Sequence, residues 1–226
     1  MTAPSHTAPT FHSPSDRVLV DVWSDVVCPF CHLGDTLLAQ AIERFGHPVE
    51  VRYHSFQLMP ELPAGPGRDV VDVLVETKGI TREQAESMNA QVAARAATLG
   101  LDLRFDRALV ANTRDAHRLL HLARAHGVQA EVAQRLFRAY FTEGRDIGAH
   151  GVLADLAVDA GLDRDEVLRS LAGEEHADDV DADIAWARQL GISGVPFFVL
   201  DGKYAVSGAQ PPELFDQALA TAWADR

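Results

Sequence analysis

The chain has 226 residues, with 20 basic and 33 acidic side chains, so its formal net charge is −13. This length favours one large domain or one domain with a large insertion, and a hydrophobic fraction of 47% argues against disorder. The acidic balance argues against nucleic acid or a membrane surface as a partner, and two cysteines are too few for a disulfide framework.

The first 16 residues combine Pro, Ser, Thr and His and contain no Lys or Arg. A secretory signal needs a basic start and an apolar stretch of about 7–15 residues, and this segment has neither. We therefore interpret residues 1–16 as a flexible tail. Because no later apolar run approaches the roughly 18 residues of a membrane span, we expect a cytoplasmic protein.

The segment after the tail predicts a β-α-β unit. The run Val18-Leu-Val-Asp-Val-Trp23 is almost continuously apolar, which is typical of a strand buried on both faces. Pro29 opens a helical pattern that ends at Gly46, and apolar and polar residues then alternate from Val49 to His54 as in a second strand. A helix between the two strands indicates that they pair in parallel.

A Pro- and Gly-rich stretch at residues 57–67 then predicts a loop and a boundary. From about 69 to 190 we expect about six helices, two of them starting at capping boxes, Thr81 to Gln84 and Asp163 to Glu166. Six glycines stand where these helices would end: Gly79, Gly100, Gly127, Gly144, Gly161 and Gly191. We therefore expect an α/β domain of residues 17–62 and 190–226, interrupted by an all-helical insertion of residues 63–189.

Strand patterns return near the end of the chain. The runs 197–200 and 203–206 flank the turn pair Asp201-Gly202, which predicts a hairpin. Pro211 then opens a last helix that reaches about Ala224. The predicted order is β-α-β, a helical block, and β-β-α.

The two cysteines form the motif Cys28-Pro29-Phe30-Cys31, between the first strand and the first helix. If Pro29 is the first helical residue, Cys28 is the N-cap, and its sulfur faces free N–H groups that favour the thiolate. Cys31 lies one turn further along the helix, where it is deeper and less accessible. This asymmetry predicts that Cys28 is the attacking thiol and Cys31 the resolving thiol of a redox-active pair. We expect Phe30, between them, to be exposed and to contact substrate.

Three other interpretations of the motif stay open. A zinc site needs four ligands, and beyond His32 no second Cys pair is available, so we expect no metal. The pattern Cys28-Pro-Phe-Cys31-His32 also matches a covalent haem attachment site, and two inert core cysteines are the third possibility. A Cys-x-x-Cys between a strand and a helix in a cytosolic chain is more typical of redox chemistry.

Ser193-Gly194-Val195-Pro196 precedes the third strand and is the second candidate feature. Proline at the entry to a strand occupies its first residue or an edge, and it can take a cis peptide bond in a tight turn. We hypothesise a cis Val195–Pro196 bond beside the two sulfurs, which leaves the Val195 backbone to pair with an extended substrate. An ordinary trans proline at the start of a strand is the alternative.

These segments together resemble a known family. Residues 20–31, the helical insertion and Gly194-Val195-Pro196-Phe197-Phe198 look like the DsbA-like thioredoxin-fold oxidoreductases. Residues 112–119, 136–147 and 201–210 are most similar to the cytoplasmic FrnE branch of that family. The resemblance covers about residues 17–224. It implies a thioredoxin fold interrupted by helices, thiol–disulfide exchange at Cys28 and Cys31, and a cis proline at Pro196.

The resemblance also implies the substrates. They are protein or low-molecular-weight thiols and disulfides, with no bound cofactor beyond the Cys28–Cys31 disulfide. The same superfamily contains 2-hydroxychromene-2-carboxylate isomerases and kappa-class glutathione transferases, which carry Ser at the position of Cys28. The alternative function is therefore a glutathione-dependent isomerase or transferase, with glutathione as co-substrate and with a homodimer as in many such relatives. Some FrnE-type proteins carry a second Cys pair, which this chain lacks.

Four other features are weaker candidates. We interpret Asn112 as an N-cap rather than a ligand. The helical spacing of His117 and His121 suits a metal pair, but without a third ligand we expect them to be packed or solvated. We expect His54 to be a satisfied histidine at the edge of the sheet rather than a contact of the thiols. The acidic residues between 174 and 183 are interpreted as the solvated side of one helix.

Overall fold

The computed structural model describes residues 16–226, so the predicted tail lies, apart from Asp16, outside the described residues. Its elements follow the predicted order of β-α-β, a helical block, and β-β-α. In chain order they are β1 (Val18–Ser24), α1 (Pro29–Phe45), β2 (Val49–Ser55), β3 (Arg68–Asp69), α2 (Val70–Lys78), α3 (Arg82–Ala97), β4 (Leu109–Val110), α4 (Arg114–Ala125), α5 (Gln129–Arg138), a π-helical turn (Ala139–Glu143), α6 (His150–Asp159), α7 (Arg164–Ala172), α8 (Ala177–Gln189), β5 (Phe197–Leu200), β6 (Tyr204–Ser207) and α9 (Pro212–Ala224).

The main sheet has four strands in the order β2-β1-β5-β6. β1 and β2 pair in parallel, with Val22 opposite Tyr53 and Trp23 opposite His54, as the β-α-β pattern predicts. β5 runs antiparallel to β1, and β6 runs antiparallel to β5. The first strand therefore lies at the centre of the sheet, where all seven of its residues are buried.

Alternation along β1 divides the core into two faces. Val18, Val20 and Val22 belong to the large apolar cluster that includes residues of α1 and α9. Trp23 points to the other face, where it packs with Trp186 of α8 and Val199 of β5. The sheet is thus covered by helices on both faces, which is the interrupted thioredoxin fold that the sequence predicts.

The segment between β2 and β5 contains seven α-helices and the π-helical turn, which is one α-helix more than the approximately six that the sequence predicts. All six predicted stop glycines have a positive φ, but the additional break, between α7 and α8, uses a different residue. His176 takes a left-handed conformation with φ 62°, which the sequence pattern does not reveal. The segment is also not entirely helical, because β3 and β4 form a short antiparallel pair. No helix among residues 16–226 has the length and apolar character that crossing a membrane requires.

Arg118 of α4 holds the break between α7 and α8 in place. Its guanidinium group is buried and donates hydrogen bonds to the carbonyl oxygens of Ser170 (2.7 Å), Gly173 (2.6 Å) and Glu175 (2.8 Å). Backbone carbonyl groups at a helix end need partners when they are buried. The Arg118 side chain therefore supplies hydrogen bonds to three backbone carbonyl groups of the connection between α7 and α8. It also attaches this connection to α4.

The outer edge of β2 is closed by a side chain rather than by another strand. The amide of Gln129, at the start of α5, accepts a hydrogen bond from Tyr53 N and donates one to Tyr53 O, both at 3.0 Å. An open edge strand presents unpaired backbone groups that can pair with another chain. The Gln129 amide pairs with the backbone N–H and C=O of Tyr53 as a residue of an adjacent strand would, and it thereby attaches α5 to the sheet.

Candidate active site

Cys28 stands at the junction between the central strand and α1. It is the N-cap of the helix, in an extended conformation, and Pro29 is the first helical residue, as predicted. The backbone carbonyl of Cys28 accepts hydrogen bonds from Cys31 N (3.0 Å) and His32 N (3.4 Å), and its own N–H donates to Asp25 O at 3.0 Å. The loop of residues 25–27 and the first helical turn therefore hold the backbone of Cys28 from both sides.

The side chain of Cys28 does not cap the helix, so the expectation that its sulfur faces the N–H groups of Phe30 and Cys31 is wrong. The Cys28 thiol instead donates to the carbonyl oxygen of Val195, at 3.6 Å. The thiol is thereby placed between α1 and the predicted substrate-binding loop.

Cys31 lies beneath this surface and is 1% exposed, while Cys28 is 4% exposed. Both cysteines are free thiols. Burial raises the pKa of the Cys31 thiol well above its ordinary value, and a hydrogen bond with Cys28 raises this pKa further. The backbone N–H of Asp25 contacts the Cys31 sulfur at 3.5 Å. Cys31 is thus the deeper of the two cysteines, as predicted, but the difference is small because Cys28 is buried as well.

The Val195–Pro196 peptide bond is cis, as predicted. Gly34 of α1 packs directly against Pro196, since a Cβ atom at Gly34 would lie 2.9 Å from Pro196 Cγ and 3.0 Å from the Phe198 ring. The missing side chain of Gly34 allows the proline loop to approach α1 one turn beyond the motif. The structure thus brings Cys28, Val195 and Pro196 together.

Asp25 is a fully buried carboxylate close to the motif, and no local signal in the sequence singles it out. Its Oδ2 accepts a hydrogen bond from Leu58 N at 2.8 Å, and its Oδ1 lies 3.4 Å from His117 Nε2. Burial, together with the negative charges of Asp25 and Cys28, raises the pKa of Tyr140. The Tyr140 phenol therefore stays protonated at neutral pH.

His32 directly follows the motif, and its side chain packs against two aromatic rings. Its ring stacks on Phe137 at 5.0 Å and on Phe141 at 5.7 Å between centroids. Burial lowers the pKa of His32 to about 4, so the ring is neutral at pH 7. His32 therefore supplies no positive charge to the thiols, and its packing against two aromatic rings does not suit the haem or zinc interpretation.

A cavity of about 590 Å³ opens directly above the motif. Cys28, Pro29, Phe30 and Val195 form one side, and Phe30 is 39% exposed, as expected for a substrate contact. The opposite side is formed by α2 and α3 of the helical segment. Of the predicted site residues, Cys28, Pro29, Phe30 and Val195 line this cavity, Pro196 lies beside it, and Cys31 lies below.

His54 belongs to a separate buried cluster. Its Nδ1 lies 2.7 Å from Asp183 Oδ1 and its Nε2 lies 2.8 Å from Asp21 Oδ1, while its ring stacks on Trp23 at 4.7 Å. Both ring nitrogens of His54 therefore have hydrogen-bond partners, as expected. Asp183 corrects another expectation, because it is buried, whereas the acidic stretch predicts a solvated side chain. It is the acidic residue of α8 that faces the sheet.

The other weak candidates also have structural partners. His117 Nε2 lies 3.0 Å from Phe56 O, and His121 Nε2 lies 3.1 Å from Ser55 Oγ. Among residues 16–226 no group of three or more His, Cys, Asp or Glu is arranged to hold a metal ion. Asn112 accepts a hydrogen bond from Arg114 N at 2.9 Å, but Thr113 is the N-cap residue of α4.

The chain is similar in sequence and in structure to known proteins. The family model of the DSBA-like thioredoxin domain matches residues 19–220. The crystal structure of a probable DsbA oxidoreductase from Streptomyces coelicolor is 41% identical, with a TM-score of 0.87 over 92% of this chain and 91% of that one. The uncharacterised protein YwbO of Bacillus subtilis is 27% identical over 90% of this chain and 96% of its own length.

A more distant structure shares the fold. The cytosolic disulfide reductase DsbM from Pseudomonas aeruginosa, solved with GSH, is 21% identical, with a TM-score of 0.64. The match covers 90% of this chain and 98% of DsbM.

Proposed function

The chain belongs to the family of DSBA-like thioredoxin domains, and from this premise we propose that it exchanges disulfides through Cys28 and Cys31. One observation carries the proposal. The Cys28 sulfur, at the start of α1, lies 3.6 Å from the carbonyl oxygen of Val195, which precedes the cis proline. From this position the Cys28 thiolate can attack a disulfide that enters the cavity, and a Cys28–Cys31 disulfide can be attacked by an external thiolate from the same side.

The proposed exchange has two steps that balance in atoms and electrons. The Cys28 thiolate attacks one sulfur of a substrate disulfide, forms a mixed disulfide and releases the other sulfur as a thiolate, which takes up a proton. The Cys31 thiolate then attacks the Cys28 sulfur and releases the second substrate thiol. The substrate gains two electrons and the Cys28–Cys31 pair becomes a disulfide, which an external thiol reduces again.

We propose that the substrates are protein or low-molecular-weight thiols and disulfides, and that glutathione is the first thiol to test as co-substrate. The cavity above Cys28 supports a substrate of low molecular weight, because α2 and α3 form its side opposite the motif. We also propose that residues 17–62 and 190–226 form the thioredoxin-like unit, that residues 63–189 form its insertion, and that the protein works in the cytoplasm.

Mass spectrometry of single-cysteine variants tests the exchange. Cys31→Ser, mixed with a substrate disulfide, is expected to retain a mixed disulfide at Cys28, because the resolving thiol is absent. Cys28→Ser is the matched control and is expected to retain none, since Cys31 does not line the cavity through which the substrate reaches Cys28. If iodoacetamide labels neither cysteine of the mildly reduced folded protein, the proposed function is wrong.

A glutathione-dependent isomerase or transferase is the second candidate. The observation that favours it is the cavity, in which Cys28 is positioned to hold a small thiol against an apolar substrate. In that reaction Cys31 has no role. Turnover of an aromatic substrate that persists in Cys31→Ser would favour this candidate over disulfide exchange.

A further inference from the structure

The cavity above the motif has the shape of a ligand site rather than of a protein-docking surface. Its volume of about 590 Å³ lies within the range of roughly 300–1,000 Å³ that is typical of small-molecule sites. Cys28 lies in its wall and is only 4% exposed. A disulfide that reacts with Cys28 from the cavity must therefore enter it, at least in part.

The walls of the cavity are predominantly apolar. Its apolar side chains come from the motif, from the loop after β2 and from both covering helices, among them Phe30, Met59, Val73, Leu74, Met88 and Val92. Such walls favour an aromatic or branched aliphatic ligand, because burial of apolar surface contributes about 25 cal/mol per Å².

Two polar groups stand out inside this apolar lining. Tyr140 contributes a buried phenol that is protonated, as described above. The amide nitrogen of Asn89 is buried and finds no hydrogen-bond partner among the described residues. A buried donor without a partner costs free energy that a ligand acceptor can recover. Lys78 and Glu61, both exposed, also line the cavity.

Helix α3 forms a roof that is held by few contacts. Of its residues only Ala85 and Ala96 are buried, and Met88 is 43% exposed. Arg95 of α3 connects the roof to the thioredoxin-like unit, because it donates a hydrogen bond to Ala209 O at 2.5 Å. Its guanidinium carbon also lies 5.9 Å from the centre of the Phe30 ring. The roof covers the motif, so an extended polypeptide has less access to Cys28 than a small molecule has.

We propose that this cavity binds thiols and disulfides of low molecular weight with an aromatic or branched aliphatic body. This inference rests on the proposed function and specifies its substrate class. In the site, the Cys28 thiolate attacks one sulfur of a bound disulfide, forms a mixed disulfide and releases the other sulfur as a thiolate, while the apolar body lies between Val73 and Val92.

Three mixed disulfides with the same 2-thiopyridine leaving group test the proposal. They carry a benzyl group, a hydroxyethyl group or a cysteine within an unstructured peptide of about 20 residues, a length at which the chain spans far more than the cavity. Each reaction with reduced protein releases 2-thiopyridone, and its rate is divided by the rate of the same reagent with a free thiol. We expect the benzyl reagent to react at least tenfold faster than the other two after this correction.

Val92→Trp fills the cavity and is expected to slow the benzyl reagent at least tenfold, while the hydroxyethyl reagent changes less than threefold. Val158→Trp is the matched control, because Val158 is 45% exposed on α6 and does not line the cavity, and it should change neither rate. Should Val92→Trp fail to fold, Val92→Ala takes its place, and we expect it to favour a naphthylmethyl reagent over the benzyl one.

The outcomes separate the two proposals. If none of the reagents reacts with Cys28, the proposed exchange chemistry fails and this inference fails with it. If all of them react, but the benzyl preference is absent or the peptide is fastest, the substrate class is wrong and the exchange chemistry stands.

Discussion

Gly34 and Pro196 are in direct packing contact, with room at Gly34 for a hydrogen atom but not for a methyl group. Gly34→Ala is therefore expected to push the proline loop away from α1 and to lower the free energy of unfolding by about 1–3 kcal/mol, as overpacking does. The rate of disulfide exchange should fall with it, because the same loop carries Val195. Urea unfolding and the benzyl exchange assay measure the two effects.

Gly151→Ala is the matched control. Gly151 is exposed in α6, and nothing lies within 4 Å of the position that an added methyl group would occupy. The change should therefore leave stability the same or increase it by up to about 1 kcal/mol. Equal behaviour of the two variants would contradict the packing argument.

The buried cluster around His54 predicts a loss of stability in Asp183→Asn. Removal of one partner from a buried ion pair typically costs about 3–5 kcal/mol. Asp181→Asn is the control from the same helix, because Asp181 pairs with Arg114 at the surface and such pairs contribute about 0–1 kcal/mol. Urea midpoints of the two variants at pH 5.5 should differ clearly, and similar midpoints would show that the cluster does not hold α8.

The same cluster predicts how stability depends on pH. Burial alone lowers the pKa of His54, but its hydrogen bonds to Asp183 and Asp21 outweigh burial and raise this pKa. Burial also opposes ionisation of Asp183, yet His121 and His54 hold the pKa of Asp183 well below its usual range. The His54 contribution is complete below about pH 6.5 and declines as the pH rises, while that of Asp183 is present above about pH 4.

Unfolding at pH 5.5 and 8.5 checks this dependence. The wild-type protein should lose part of the stabilisation from His54 at the higher pH, and Asp183→Asn should show a smaller decrease between the two pH values. A larger decrease in the variant would contradict the assignment.

Asp35 of α1 predicts a variant that is more stable than the wild type. Burial raises the pKa of Asp35 to about 6, although a hydrogen bond from the Tyr53 hydroxyl opposes the shift. The contribution of Asp35 to stability is therefore most favourable below about pH 4, where the carboxyl group is protonated in both the folded and the unfolded state, and it declines as the pH rises toward 6. Asp35→Asn should raise the free energy of unfolding by about 1–2 kcal/mol at pH 8 and by little at pH 4.

Glu43→Gln on the exposed side of the same helix is the control for Asp35→Asn and should change stability by less than about 0.5 kcal/mol at either pH. An equal gain for Asp35→Asn at both pH values would point to packing instead of charge burial.

The raised pKa of Cys31 predicts that the resolving step is slow at neutral pH and accelerates in alkali. Only the thiolate attacks, so the second phase of a single turnover should become about tenfold faster per pH unit between pH 7 and 9. Acid-quenched mass spectrometry follows the decay of the Cys28 mixed disulfide. Cys31→Ser should show no decay, and a second phase that does not change with pH would contradict the burial of a protonated Cys31.

Local signals in the sequence are sufficient to predict the frame of the site. Hydrophobic periodicity predicts β1, α1 and β2, and the position of Pro29 predicts that Cys28 is the N-cap. The six stop glycines are recognisable because a left-handed residue at a helix end is usually Gly. Each of these features depends on residues that are close together in the chain.

Features that depend on distant partners are not predictable in this way. The Cys28 thiol turns toward Val195, which is 167 positions away, instead of capping its own helix. Asp183 is buried because His54 lies across from it, 129 positions earlier, and nothing in the acidic stretch distinguishes it from its neighbours. His176 and Gln129 likewise take roles that the tertiary structure decides.

The π-helical turn Ala139–Glu143 has a consequence for the comparison of related sequences. A π turn contains one residue more than the α turn it replaces, and it places two adjacent aromatic residues, Tyr140 and Phe141, in the core. Deletion of one residue here would restore an ordinary turn and rotate one of the two rings away by about 100°. A one-residue gap at this position of an alignment should therefore identify homologues in which one of two features is missing. Either the cavity lacks the Tyr140 phenol, or the residue equivalent to His32 lacks the stacking contact with Phe141.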